Sequence, residues 1–305
     1  MACDQRTATI FLEAAEITYG AEEQSCITPD ALASTSEYFS ISSPVQTYHC
    51  WLDINSTGAD PAPANSLPIE VDVGVGYTVS EWLTAAKAAF EAVLESGDPV
   101  FRATISSDGL SLGVEAVDIG APLSALVDVD TGWVFEVDKA GFGENLGKTK
   151  EGIEVSYEVS SFDVFANQTG PALLLDQIIQ GTGASLTAGF LELSKERLTT
   201  IIGNGYGDSF TPGGGTELIG FGTSKLFQSS FDQGGKLILH PIRLAASDRS
   251  RDVVFHKTLP LPESMNYDGT DSQALNCSFT ALVDDSKRAE ISVFAIGDWK
   301  QDIRA

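Results

Sequence analysis

The stretch closest to a catalytic motif is GFGENLGKT at residues 141–149, which has the ingredients of a loop that binds phosphate groups. Such a loop needs four residues between its first glycine and the Gly-Lys pair, followed by a helix that opens at the phosphates. That spacing puts Phe142 where glycine is required, and the residues after Thr149 alternate as a strand. We interpret the stretch as a glycine-rich connection between strands.

The histidines and cysteines do not form a recognisable catalytic or metal-binding pattern. His49, His240 and His256 lie within strand patterns, and no Asp or Glu is placed in the sequence to orient them. The four cysteines lack the spacing of a zinc site. Paired carboxylates for glycoside hydrolysis stay open, because their separation is spatial. The sequence predicts a protein that is not an enzyme and has neither metal nor cofactor.

Net charge restricts the partners more sharply. The chain has 18 basic and 43 acidic residues, a net charge of −25, and the excess is greater in residues 1–130 (3 basic, 20 acidic) than in 131–305 (15 and 23). Affinity for nucleic acid comes from Lys and Arg that neutralise phosphates, so a DNA-binding groove is excluded. The start of the chain has acids where a signal peptide needs a basic end, and no apolar run is long enough for a membrane span. We expect synthesis in a cytoplasm and no membrane partner.

The first half of the chain predicts a small α+β unit. A helix is expected over 78–95, where apolar residues recur at helical spacing and Thr78 with Glu81 forms a capping box. Alternating apolar and polar residues predict strands around it, at 37–45, 47–54, 68–73, 101–105 and 110–117.

The second half is mainly β in texture. One short helix is expected at 194–202, and the segment 203–235 has few strand signals, which in a compact domain usually marks a functional surface. The strand patterns lie at 133–139, 152–165, 172–179, 184–193, 236–244, 252–261, 274–283 and 289–298. Many short strands with frequent turn signals favour a β-sandwich or barrel. We expect an N-terminal arm (1–23) that belongs to this β domain (131–305), with the α+β domain (24–130) inserted between them.

Three stretches of the second half carry a resemblance to a known family: LGKTKEG at 146–152, ALVDD at 281–285 and FAIGD at 294–298. Over roughly residues 1–20 and 131–305, the chain resembles a bacteriophage tail tube protein. Residues 37–120, with Tyr38-Phe39 and the run from Tyr48 to Trp51, are similar to a decoration-like domain found within phage structural proteins. The long segment 203–235 and the insertion itself depart from the family pattern.

The resemblance implies a mainly β tail-tube fold with one short helix, and an assembly of hexameric rings stacked into a tube that conducts DNA during ejection. It implies a structural virion protein, made in the host cytoplasm and located in the tail. Its partners would be further copies of itself, the baseplate and tail terminator proteins, and a sheath if the tail contracts. Genomic DNA would pass through the lumen without specific binding, which agrees with the acidic charge.

Candidate residues follow from the strand patterns and from this implied assembly. Glu154 and Glu158 share a strand face because their separation is even, and we expect both on the channel wall. Asp163 would join them only through a bulge or turn. Asp176 is a further candidate for the channel wall. A solvated outer sheet face is the alternative role for these acids. After release into an oxidising medium, intersubunit disulfides become possible, with Cys3 and Cys277 as first candidates and Cys26 and Cys50 as others.

Two other functional classes fit the same sequence. The chain could be another tail component of the same fold, such as a terminator or baseplate hub subunit, which would form a defined short ring instead of a polymer. It could also be a carbohydrate-binding module, for which exposed aromatic side chains at Trp51, Trp133 or Trp299 would be the distinguishing feature.

Overall fold

The chain divides into two compact units. The computed structural model describes residues 3–12, 15–29, 34–128, 133–147, 149, 152–165, 174–191, 194–203, 208–212, 218–223, 226–266 and 274–301. The first unit consists of Met1–Tyr19 with Glu144–Ala305, and the second consists of Gly20–Gly143.

Strands dominate both units, as expected for a mainly β protein. The described strands are β1 (Cys3–Leu12), β2 (Ala15–Ala21), β3 (Gln24–Pro29), β4 (Tyr38–Ser42), β5 (Thr47–Ile54), β6 (Leu67–Val73), β7 (Leu94–Glu95), β8 (Asp98–Pro99), β9 (Phe101–Ile105), β10 (Leu112–Ala116), β11 (Val127–Asp128), β12 (Trp133–Lys139), β13 (Phe142–Asn145), β14 (Ile153–Phe165), β15 (Leu174–Phe190), β16 (Asp208–Phe210), β17 (Leu218–Gly220), β18 (Gly235–Pro241), β19 (Val253–Asn266), β20 (Ala274–Ala281) and β21 (Phe294–Ile296). The helices are α1 (Val79–Glu91), α2 (Lys195–Leu198), which continues into a π-helical turn (Thr199–Gly203), and α3 (Ser230–Gln233), with a 3-10 turn at Ala289–Ile291.

The first unit is built on one nine-stranded sheet. Its strand order is β1-β14-β15-β20-β19-β18-β2-β13, and β21 pairs with β19. Within the described residues the path ends at β1 and β13, so the sheet is open and does not close into a barrel. The N-terminal residues supply two of its strands, although their sequence alone has little core-forming periodicity.

Strand β15 is longer than its sequence predicts. The run QGTGA at 180–184 indicates a turn between two strands, yet a single strand continues from Leu174 to Phe190. Pairing with β14 on one side and β20 on the other accounts for this continuity. Hydrogen bonds from neighbouring strands outweigh the weak strand preference of the two glycines.

Aromatic side chains form the core of the first unit. The ring of Tyr19 packs against that of Phe279 with centroids 5.8 Å apart, and Phe279 also contacts Phe190 edge-on. All three are buried, and burial raises the pKa of the Tyr19 hydroxyl. The short helix expected at 194–202 is confirmed as α2 and its π-helical extension, with the Ser194 hydroxyl accepting a hydrogen bond from the Arg197 amide at 3.2 Å.

The second unit contains two four-stranded sheets and α1. Their orders are β12-β3-β10-β9 and β11-β4-β5-β6, and β5 pairs with β6 in parallel. The capping box of Thr78 and Glu81 at the start of α1 is confirmed. The helix ends at Glu91, before the sequence predicts, because residues 94–99 turn back on themselves as the β7–β8 pair. Its buried face, with Trp82, Leu83 and Phe90, closes the core.

The second unit is longer than the expected range 24–130 at both of its ends. Strand β12 pairs with β3 from Trp133 to Lys139, so the chain remains in this unit up to Gly143. The unit begins at Gly20 instead of residue 24. The expected boundary between residues 130 and 131 lies outside the described residues.

Candidate functional site

The predicted channel acids lie on the nine-stranded sheet, at positions that the β14–β15 register defines. Directly paired residues of adjacent strands point to the same face. Glu154 pairs with Thr187 and Glu158 with Gly183, and the side chains of both glutamates are exposed. The expectation that Glu154 and Glu158 share a face is therefore confirmed.

A bulge in β15 decides which further acid joins them. Ser160 pairs with Gly181 and Ser161 with Ile179, so Gln180 is an extra residue in β15. Beyond this bulge the alternation in β15 is inverted, and Asp176 pairs with Val164 on the face of the two glutamates.

Asp163 lies on the opposite face from the two glutamates. It pairs with Gln177, whose Nε2 donates a hydrogen bond of 2.9 Å to Asp163 Oδ1. A bulge in β14 itself would be needed to turn Asp163 towards Glu158, and the bulge is in the partner strand. The structure thus groups Glu154, Glu158 and Asp176, and separates Asp163 from them.

The face that carries Glu154 is polar from Glu154 to Ser160 of β14, and we call this part the polar face; beyond the bulge the same side carries Phe162, Val164 and Ile178. It also contains, from β14, β15 and β20, Ser156, Ser160, Ser185, Thr187, Asn276, Ser278 and Thr280. Behind the polar face, the opposite side of the same strands is apolar and buried, with Ile153, Val155, Leu186, Ala188, Cys277 and Phe279. Asp163 and Gln177 lie on that side beyond the bulge. The sequences of β14, β15 and β20 contain no Lys or Arg. A surface of hydroxyls, carboxylates and backbone offers phosphate groups no cation and repels them.

The cysteines differ in how accessible their thiols are. Cys277 and Cys50 are buried in the cores of the first and second units, and burial raises the pKa of both thiols. Cys26 is half-buried in β3. The side chain of Cys3 lies outside what the structure describes, while its backbone pairs with Phe162 in β14. Intersubunit disulfides stay a prediction, with Cys26 the most accessible described thiol.

Two histidines have carboxylate partners that sequence reasoning missed. His49 Nε2 lies 2.7 Å from Asp60 Oδ1, and its Nδ1 lies 2.8 Å from Ser66 Oγ. His240 Nδ1 lies 2.7 Å from Asp252 Oδ1. The expectation that no acid orients these rings was wrong. The β18–β19 hairpin could have indicated the second pair, whereas Asp60 comes from a proline-rich loop with no local signal.

The Ser66, His49 and Asp60 contacts organise a loop. The His49 side chain is buried, and Ser66 Oγ also donates a hydrogen bond to the carbonyl oxygen of Pro63 at 2.9 Å. A hydroxyl has only one proton to donate, so the Ser66 proton goes to the backbone and not to the imidazole. This arrangement fixes loop 55–66 over β5.

The segment 203–235 presents a group of exposed apolar side chains. Strands β16 and β17 pair as a small antiparallel sheet, and α3 follows with Ser229 as its N-cap. The exposed residues are Phe210, Leu218, Phe221, Leu226 and Phe227; we call them the apolar group. Phe210 and Leu218 pair directly across this small sheet, and exposed apolar side chains that lie together typically mark an interaction surface.

The aromatic side chains that a carbohydrate site would need are not available as exposed platforms. Trp51 and Trp133 are only 5% and 6% exposed. Trp299 is half-buried, with the ammonium of Lys236 4.4 Å from its ring centroid. The feature that would favour a carbohydrate-binding module is therefore missing at all three positions.

Three further comparisons concern metal ligands, membrane-spanning helices and known protein families. Across the described ranges, no group of three or more His, Cys, Asp or Glu side chains could hold a metal ion. No helix in the described part of the chain is long and apolar enough to cross a bilayer. No protein-family model matches the chain.

Proposed function

We propose that this chain is the structural subunit of a bacteriophage tail tube, in which hexameric rings stack into a conduit for DNA. The observation that carries the proposal is the polar face of the nine-stranded sheet, with its apolar reverse side. A wall of that composition lets a polyanion slide past without holding it, because it offers no Lys or Arg from β14, β15 and β20.

The open sheet supports assembly into a ring. β1 is a ten-residue strand at one end of the sheet path, with only β14 as its neighbour in the described residues. A long unpaired edge favours pairing with another chain, and closing a ring of subunits removes such edges. The barrel would then belong to the ring and not to the single chain.

The apolar group supports stacking between rings. Side chains such as Phe221 and Phe227 are more than half exposed, and Phe227 lies in a turn with φ of 66°. Burying them against a neighbouring ring would remove apolar surface from water, at about 25 cal/mol per Å² buried. In this proposal the tube contacts the baseplate, the tail terminator and any sheath through its ends and outer surface.

Negative-stain electron microscopy of the purified full chain tests the proposal. We expect hollow tubes, and we expect the triple variant Phe210→Ser, Phe221→Ser, Phe227→Ser to remain folded without forming them. A matched control replaces three exposed apolar side chains of the second unit: Val45→Ser, Val75→Ser and Leu94→Ser. This control should still give tubes.

Other particle sizes in the same micrographs distinguish the alternatives. A single ring of fixed size that never polymerises would identify another tail component of the same fold. A chain that stays monomeric at all concentrations, or tubes that the triple Phe variant leaves unchanged, would contradict the proposed role of these surfaces.

A further inference from the structure

One stretch of the first unit has the opposite charge to the rest of the chain. Residues 236–257 contain five basic and two acidic residues, a net charge of +3 in a protein of net −25. The β18–β19 connection within it is tightly folded, with turn hydrogen bonds from Leu244 N to Pro241 O at 2.9 Å and from Asp248 N to Ala245 O at 2.7 Å. Arg243 and Arg251 are exposed on this connection.

Two of the cations of this stretch, Lys236 and Arg249, lie against the indole ring of Trp299, together with Lys300. The Arg249 guanidinium carbon lies 5.8 Å and Lys300 Nζ 5.5 Å from the centroid of Trp299. Trp299 Nε1 donates to Asp252 Oδ2 at 3.2 Å, and this buried Asp252 also contacts His240. We call Arg243, Arg249, Arg251 and Lys300 the basic patch: Arg249 and Lys300 lie against Trp299, and Arg243 and Arg251 are the exposed arginines of the same β18–β19 connection as Arg249. The exposed side chain of Ile242 adds an apolar contact point beside it.

The second unit has the complementary charge. Residues 20–143 contain 3 basic and 19 acidic residues, a net charge of −16. Among its basic residues, Arg102 is buried beside Glu115 at 3.9 Å, and Lys87 lies 4.0 Å from Glu91 on the same helix. These two cations are already next to carboxylates of their own unit.

Negative charge is concentrated along β6. Glu70 and Asp72 are exposed there, and Asp72 pairs with Asp53 of β5 in the parallel register. Slight burial and the carboxylates of Asp53, Asp72 and Asp60 raise the pKa of Glu70. Cations placed at this surface, the acidic face, would relieve repulsion among these carboxylates.

We propose that the basic patch of one copy docks on the acidic face, Glu70 and Asp72, of the second unit of another copy. Arginine suits this contact because its planar guanidinium can bind a carboxylate through two hydrogen bonds. The two surfaces lie on different parts of the chain, so the contact is head-to-tail and can repeat from copy to copy. The inference rests on the proposed self-assembly and names a surface that contributes to it.

Paired charge reversals in the full chain test this contact. One variant carries Arg243→Glu and Arg251→Glu, and the other carries Glu70→Lys and Asp72→Lys. Their matched controls make the same changes in net charge at other exposed positions, Lys195→Glu with Arg288→Glu and Glu136→Lys with Asp138→Lys. Circular dichroism checks the fold of each protein, and sedimentation velocity measures self-association at about 50 mM and about 500 mM salt, where screening differs strongly.

We expect each reversed variant alone to associate roughly tenfold or more weakly than the wild type at low salt, because charge pairs of this kind contribute strongly to association. An equimolar mixture of the two variants should regain association. The unchanged basic patch of the second variant can dock on the unchanged acidic face of the first, and the new glutamates of the first can pair with the new lysines of the second. The controls should resemble the wild type.

Three results would overturn the inference: reversed variants that associate as well as the wild type, a mixture that regains nothing, or a wild type without concentration-dependent association. A change in the size of the monomer alone would assign the contact to a single chain and also refute docking between copies. Salt-sensitive association without tubes would uphold the contact while the tail-tube proposal fails. Tubes that the reversals leave unaffected would refute the contact and leave the tail-tube proposal standing.

Discussion

The backbone amide of Leu146 donates a hydrogen bond of 2.9 Å to the carbonyl oxygen of Ile17, although residues 20–143 separate the two in sequence. Ile17 lies in β2 and Leu146 directly follows β13, and these two strands are neighbours in the nine-stranded sheet. The points where the chain leaves and re-enters the first unit are therefore close together, which is the usual geometry of an inserted domain.

This proximity predicts that the insertion can be removed. Joining Tyr19 to Glu144 through a short Gly-Ser linker should leave a first unit that unfolds cooperatively and assembles, because the linker only has to span adjacent strands. Thermal unfolding followed by circular dichroism, with electron microscopy of the same sample, provides the measurement. Residues 20–143 expressed alone serve as the complementary sample and should retain the helix signal of α1. A non-cooperative or insoluble first unit would show that the insertion is part of its core.

Charge reversal on the polar face should convert a repelling wall into one that retains DNA. Glu154→Lys with Glu158→Lys changes the charge of each copy by four, and we expect assembled particles to bind duplex DNA with a strong dependence on salt. Electrophoretic mobility shifts at increasing salt measure this effect, with Glu154→Gln and Glu158→Gln as the neutral control.

The β15 bulge gives a sharper version of the same experiment. Asp176→Lys should strengthen DNA retention further in the Glu154, Glu158 double variant, whereas Asp163→Lys should not, because Asp163 lies on the other face. Equal effects of Asp163→Lys and Asp176→Lys would contradict the assignment of the polar face to the lumen.

Acid should release loop 55–66. Burial opposes ionisation of Asp60, but hydrogen bonds from the Ala62 amide and from His49 outweigh it, so the pKa of Asp60 lies below its ordinary value. A carboxylate with a lowered pKa stabilises the folded loop above its unfolded-state pKa of about 4, and this stabilisation is lost as pH falls through the folded-state value.

Limited proteolysis with a broad-specificity protease that is active in both acidic and neutral solution measures that release, with an unfolded reference protein correcting for the pH dependence of the protease itself. Cleavage within 55–66 should increase below about pH 4 in the wild type. Asp60→Asn should be cleaved readily at neutral pH and show little further change on acidification. A wild-type loop that resists cleavage throughout this range would show that other contacts hold it.

Thiol labelling should rank the cysteines by burial. Under native conditions we expect a maleimide to modify Cys26 much faster than Cys50 or Cys277, because the buried thiols are both inaccessible and disfavoured as thiolates. Peptide mass spectrometry after timed quenching gives the rates, and labelling in denaturant provides the reference. Fast labelling of Cys277 would mean that its core opens readily, and it would restore Cys277 as a candidate for cross-linking.

Local patterns in the sequence were enough to predict α1 and the shared face of Glu154 and Glu158. A capping box and strict alternation are properties of neighbouring residues, so they can be read without tertiary information. The positions of Asp163 and Asp176 could not be obtained in this way, since they depend on one extra residue in a partner strand. The contact of His49 with Asp60 likewise depends on a loop packing over β5, which no spacing in the sequence indicates.

Because β1 pairs with β14, this first strand cannot pair within the sheet until about the first half of the chain has been synthesised. Cys3 pairs with Phe162, so the first strand has to wait until the ribosome has added about 150 further residues, roughly 10 to 30 seconds at ordinary rates of synthesis. During that time the two four-stranded sheets of the second unit can fold, because their strand pairs lie entirely within residues 20–143. Until β14 is made, β1 is an unpaired strand that could pair with a neighbouring nascent chain. The large negative charge of residues 20–143 repels neighbouring chains during this time and so helps to keep the unfinished protein soluble.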